Sequence, residues 1–258
     1  MSQINDKLHE LASRYEEANF IIGDPSQFMH KVRGERHQEL IAFIASSLSF
    51  GARAQFLPRI QYLLNATEGD VEGWVKEGRF AVDVPPKDEC FYRLYTFRTM
   101  HRFLSALQNL VMRYGNLKSF ISSSTPDGDA LTAIKALTTY FSAYDLQGLI
   151  PKDASSSCKR LCMFLRWMVR DSSPVDLGVW SDVIDRRTLI MPLDTHVLQE
   201  AMRIGLIHSR TASMAAARRL TEKMRAVFPD DPLKGDFALF GFGVDETKEI
   251  TKMRTSQK

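Results

Sequence analysis

An amine and a carboxylate stand at the starts of two predicted helices, and together they suit nucleophilic chemistry on a substrate that develops positive charge. Lys159 opens the segment KRLCMFLRWMVR behind the run Ser155, Ser156, Ser157, and Asp194 sits in Pro192-Leu193-Asp194-Thr195-His196, ahead of a second apolar periodicity. A free amine attacks electrophilic carbon, and the positive end of a helix dipole favours the free amine over the ammonium. A carboxylate held at a helix start and partly open to a cleft stabilises positive charge on a substrate. Each residue also has a plainer reading. Arg166 and Arg170 fall within about 20° of Lys159 on a helical wheel, opposite Leu161, Phe164, Leu165, Met168 and Val169, so this helix taken alone reads first as an amphipathic one with a solvated cationic stripe. Asp194 reads equally as an ordinary N-cap. The functional expectation is that the two face one another across a positively lined cleft.

The elements that must position them follow from local signals. Ser155 to Ser157 offer N-cap chemistry for the lysine helix. Pro192 stops whatever precedes it; Val197, Leu198, Ala201, Met202 and Ile204 then form an apolar helical face that ends at Gly205. Upstream, residues 3–18 read as a polar helix with Leu8, Leu11 and Tyr15 inward, and residues 22–34 as irregular around Gly23 and Pro25. Leu40, Phe43, Ile44 and Leu48 recur at helical spacing over residues 35–50, and residues 54–64 carry a short helix with Pro58 in its first turns. Residues 91–98 read either as a short strand or as an aromatic helix turn. Helices are predicted over 99–114, ending at Gly115, then over 116–122 and 128–143. Residues 211–228 form a long helix capped by Thr211 or Ser213, and Asp236 starts a final buried helix. The polar tail from Asp245 is expected to be mobile.

Two of these segments carry a resemblance. PLDTHVLQEAMRIGLI (192–207) resembles the segment of endonuclease III and other helix-hairpin-helix DNA glycosylases of the HhH-GPD superfamily in which an essential aspartate opens a helix. CKRLCMFLRWM (158–168) resembles the helix of those proteins that bears the Schiff-base lysine. The long insertion 170–190 is more similar to that of the archaeal 8-oxoguanine DNA glycosylases. KRLxMFLRWMVR, GVW, PLDTHV and DPxKxDFALFGxG together are similar to a bacterial family related to those enzymes. The resemblance covers about residues 36–244 and is strongest over 155–243.

The resemblance implies an all-α, two-lobed HhH-GPD-like fold: a single catalytic unit with about 36–150 as one lobe and 1–35 with 151–258 as the other. It implies a base-excision glycosylase with AP lyase activity, removing an oxidised purine such as 8-oxoguanine from double-stranded DNA. Lys159 would form the Schiff base and Asp194 would stabilise the cationic sugar. In the DNA-binding hairpin, expected over 145–157, only Gly148 remains of the glycine-rich turn; Lys152, Ser155, Ser156 and Ser157 would hold a phosphate instead. Arg53 or Gln55 would fill the gap left by an extruded base. Trp180 would either stack on that base or plug the core under the insertion. Asp176 lies in the same insertion, and Arg166 and Arg170 would meet phosphate or acidic neighbours. One rival reading is a helix-hairpin-helix protein that binds nucleic acid without cleaving it. Another is a different hydrolase or an interaction scaffold, favoured if the surface around Lys159 is acidic or closed.

Composition sets the outer bounds. With 258 residues, 44% hydrophobic and 25% charged, the chain has ample length for a substantial core. A net charge of +3 permits contact with nucleic acid without demanding it. No apolar run approaches transmembrane length, and no opening stretch has the form of a secretory signal, so a cytoplasmic monomer without membrane contact is expected. The three cysteines, Cys90, Cys158 and Cys162, agree with a reducing compartment. Cys158 and Cys162 are spaced to share a metal but lack further partners, and the four-cysteine cluster of endonuclease III is missing, so neither metal nor cofactor is expected.

Overall fold

The computed structural model describes residues 2–209 and 211–243. The tail from Asp245 lies outside the described residues. Regular structure is almost entirely helical: α1 (Ser2–Tyr15), α2 (Glu35–Leu48), α3 (Arg53–Ala66), α4 (Val71–Lys76), α5 (Phe80–Asp83), α6 (Phe97–Tyr114), α7 (Leu117–Ser124), α8 (Ala130–Ser142), α9 (Lys159–Val169), α10 (Thr195–Arg203), α11 (Met214–Arg225) and α12 (residues 234–243). Residues 91–98 resolve as a hairpin, β1 (Cys90–Tyr92) antiparallel to β2 (Tyr95–Thr96), that runs straight into α6.

The architecture is built around α2. Its residues 39–48 are all buried, so it is apolar nearly all round, and it packs on α3, α4, α7 and α9. Three serines near its end would bury unpaired hydroxyls. Instead Ser46 and Ser47 donate to the Phe43 carbonyl at 3.0 and 2.7 Å, and Ser49 donates to that of Ala45 at 2.7 Å. The Phe43 ring meets Phe103 of α6, Phe141 of α8 and Phe164 of α9 at centroid separations of 5.8, 5.3 and 5.0 Å. Those spacings are typical of tilted and edge-to-face aromatic packing, which fixes α9 relative to three neighbours at once.

Helix starts use the caps that local sequence offers. Thr96, Asn116, Asp129, Asp194 and Ser213 each accept from a backbone N–H three residues on. Ser213, not Thr211, therefore caps α11. On α10 Leu198 and Ala201 are buried, whereas Met202 is exposed, so the apolar face is narrower than its spacing predicts.

The insertion after α9 is tied to that helix. Leu177 N–H donates to the Trp167 carbonyl at 2.8 Å and Trp180 N–H to that of Met168 at 2.7 Å, which satisfies carbonyls left open at the helix end. Trp180 is 0% exposed, sits edge-on to Phe164 at 5.1 Å and donates its indole N–H to Glu39 at 3.2 Å. Of its two predicted roles, the tryptophan has the core one; a ring enclosed on all sides offers no face to an extruded base.

Candidate active site

α9 begins at Lys159, but the serines do not cap it. The cap position is Cys158, in the left-handed region at φ 46°, with no side-chain cap bond. Ser155 turns back instead, its N–H donating to Asp153 at 2.8 Å, and Ser156 forms an isolated bridge to Ser213 at the start of α11. The loop before the lysine is thus pinned to another helix. Burial raises the Cys158 and Cys162 thiols above their ordinary range, the setting of packed, unreactive cysteines.

Across from Lys159, Asp194 uses its two oxygens for different tasks. Oδ1 accepts the Val197 N–H at 2.9 Å and caps α10, while Oδ2 lies 2.8 Å from Lys159 Nζ. The cap reading and the site reading therefore both hold. The side chains are 35% and 30% exposed, so the pair is neither buried nor free on the surface. Burial pushes the Asp194 carboxyl upward, but the Lys159 charge and hydrogen bond, with the Val197 N–H, hold it below the ordinary carboxylate value.

The pair lines a cleft of about 1080 Å³. Its charged walls are Arg53, Lys159, Arg160 and Arg166 on one sign and Asp24, Asp194, Glu200 and Asp236 on the other, with His196 among them. The lining is thus balanced, and the expectation of a positive groove is corrected. Carboxylates that hold α-helices and loops in place, such as Asp24 on Ser26 and Arg53, bring their charge to the same wall. The cleft is nonetheless open and not dominated by acid. Phe20, Phe50, Phe56 and Phe240 supply its apolar surface.

The other predicted site residues divide. Ser156 and Ser157 line the cleft, and Arg53 does so while ion-paired to Asp24 at 3.3 Å. Lys152, Ser155 and Gln55 are exposed outside it. Arg166 reaches the cleft wall but is only 3% exposed, held by Asp176 at 3.3 Å and by Asp236. Arg170 is 1% exposed and bonded to Asp176, Asp231 and Glu16. The solvated-stripe reading of α9 is therefore corrected for both arginines: acidic partners from elsewhere in the chain bury them. Asp176 is enclosed between the same guanidiniums and is not available to DNA. Among the described residues no group of three or more His, Cys, Asp or Glu is placed to hold a metal ion.

Two wall residues escaped the sequence reading of the site. Arg160, next to the lysine, donates to the carbonyls of Ser47 at 2.8 Å and Gly148 at 2.7 Å, so it clasps the end of α2 and the loop before α9 together. Asp236, at the start of the DFALFG segment, has its carboxyl at the cleft wall. Burial pushes that carboxyl above the ordinary value, against the pull of Arg166.

Fold and site together define an all-α protein with an ion-paired lysine and aspartate at the starts of two helices in one open cleft. The family described as Protein of unknown function (DUF2400) matches residues 24–245, and the chain belongs to that family. No curated protein and no solved structure matches it. No helix among the described residues is long and apolar enough to cross a membrane.

Proposed function

We propose that this protein is a DNA base-excision glycosylase with AP lyase activity, built on a two-lobed HhH-GPD-like fold and acting as a cytoplasmic monomer on damaged duplex DNA. Oxidised purine, 8-oxoguanine first, is the substrate class. The observation that carries the reading is the 2.8 Å approach of Lys159 Nζ to Asp194 Oδ2 inside an open cleft. The 35% and 30% exposure of the two side chains leaves both in reach of a substrate.

The Lys159 ammonium first gives up a proton to solvent; the resulting free amine attacks C1′ of an extruded nucleotide, the bond from C1′ to the base breaks, and the Nζ–C1′ bond forms. The sugar then opens at C1′–O4′ to a Schiff base, with one Nζ proton passing to O4′ by way of Asp194. The same carboxylate, held ionised, stabilises the cationic sugar in the transition state. β-Elimination of the strand follows from the Schiff base.

Borohydride reduction of duplexes carrying 8-oxoguanine or an abasic site tests this. Wild type is expected to give a covalent adduct, and Lys159→Gln none. Asp194→Asn keeps a good cap, so it should fold normally yet trap at least ~10²-fold more slowly. An adduct that survives Lys159→Gln removes the lysine from the role.

A further inference from the structure

Charges behind the cleft do not balance. Two guanidiniums, Arg166 and Arg170, are enclosed with four carboxylates, Glu16, Asp176, Asp231 and Asp236. Arg170 serves the first three of these, and Arg166 serves Asp176 and Asp236. Two cations cannot fully neutralise four crowded anions, and a poorly solvated carboxylate without full compensation binds a proton more readily. Of the four, Asp236 alone lines the cleft that holds Lys159 and Asp194.

Every charged group facing Asp236 is identifiable. Arg166 and Lys159 approach from α9 and favour its ionised form, and Asp194 from the α10 cap opposes it; burial is the largest influence and the net direction is upward. The buried Cys162 thiol lies nearby on α9, and His196 and Glu200 stand along the α10 wall of the cleft. Asp194 is displaced the opposite way. One cleft thus holds two carboxyls displaced in opposite directions, Asp194 downward and Asp236 upward, the division by which environments assign base and acid roles to like groups.

We propose that Asp236 is the general acid that protonates the base as it leaves. The role rests on the glycosylase reading above and extends it from the sugar to the leaving group. As the bond from C1′ to the base breaks, its electron pair goes to the base. The Asp236 O–H bond breaks in the same step, and the proton passes to a ring nitrogen or exocyclic oxygen. Asp236 is left as a carboxylate against Arg166, whose guanidinium stabilises the charge just formed. Lys159 forms its own bond to C1′, a step in which the Asp236 proton takes no part.

Abasic duplex separates the two roles, because it has no base to expel. The experiment compares wild type and Asp236→Asn, an isosteric change that can still accept from Arg166. The two measurements are borohydride trapping on abasic duplex and base release from duplexes carrying 8-oxoguanine, hypoxanthine or uracil. Asp236→Asn is expected to lower the ratio of base release to abasic trapping by ~10²-fold or more and to flatten the alkaline fall of the base-release pH profile. Equal losses in both measurements would make Asp236 merely structural and overturn the proposal. So would no loss in either, or a wild type that traps abasic duplex yet releases none of the three bases. A wild type that traps nothing instead brings down the lysine reading itself, a different result from the failure of Asp236.

Discussion

Glu39 shows how one side chain can couple burial to pH. Its carboxylate lies inside α2, where it accepts the backbone N–H groups of Leu117 at 2.8 Å and Lys118 at 3.2 Å and the Trp180 indole at 3.2 Å. Burial outweighs those donors and pushes its pKa from 4.5 to about 7. Below pH 4.5 the folded and unfolded chains both hold the proton. Between 4.5 and about 7 the folded chain holds a proton that the unfolded chain has lost, so the Glu39 contribution to stability falls as pH rises through that window. Glu39→Gln should gain on wild type between pH 5 and 8 by up to about 3 kcal/mol, at ~1.4 kcal/mol per unit. Urea unfolding at the two pH values checks this; a constant difference between variant and wild type speaks against it. The same contrast of local and distant partners explains what was legible at this scale. Lys159 and Asp194 announce themselves through nearby signals, a proline, a cap and an apolar period. Glu39, Arg166 and Arg170 do not, because what buries them comes from residues 117, 180, 176, 231 and 16.

At the scale of elements, long helices were readable and short ones were not. The strong periodicity of α6 and the cap and glycine bracketing α10 fix those helices from sequence, whereas α4 and α5 are too short for a period to emerge. The hairpin over 90–96 packs its aromatic residues under α3 and α6, a tertiary contact that selects the strand over the aromatic helix turn left open by the local pattern. For the insertion, the sequence left Trp180 between two roles, and the packing of the segment decides. Trp180→Ala should cost ~3–5 kcal/mol by leaving a large cavity against Phe164. Trp180→Phe should cost less, through the lost bond to Glu39, while the folded variant keeps its substrate affinity. Thermal unfolding gives the first quantity and DNA titration the second. Weakened binding by a stably folded Trp180→Phe would return the ring to the substrate.

Across the whole molecule, the six-group charge network ties together segments far apart in the chain: Glu16 just after α1, α9 and its C-cap through Arg166 and Arg170, the insertion through Asp176, and α12 and its approach through Asp236 and Asp231. Phe237 adds its ring beneath both guanidiniums, with centroid distances of 4.7 and 5.3 Å. Such a network does not show in sequence, since each member alone reads as a surface charge. Its removal is asymmetric. Arg170→Met leaves Glu16, Asp176 and Asp231 short of a partner, and loss of one side of a buried pair costs ~3–5 kcal/mol. Asp176, whose carboxyl burial already pushes upward, then loses one of the two guanidiniums that oppose that shift, so stability is lost as pH rises and partly regained as pH falls. The deficit of Arg170→Met relative to wild type should therefore shrink between pH 7 and pH 5. Because Arg170 caps the end of the helix that begins at Lys159, trapping activity of the variant at pH 7 should fall along with stability. Denaturant unfolding across that range decides the matter: a deficit below about 1 kcal/mol, or one that stays constant with pH, means these charges are not what holds the segments together.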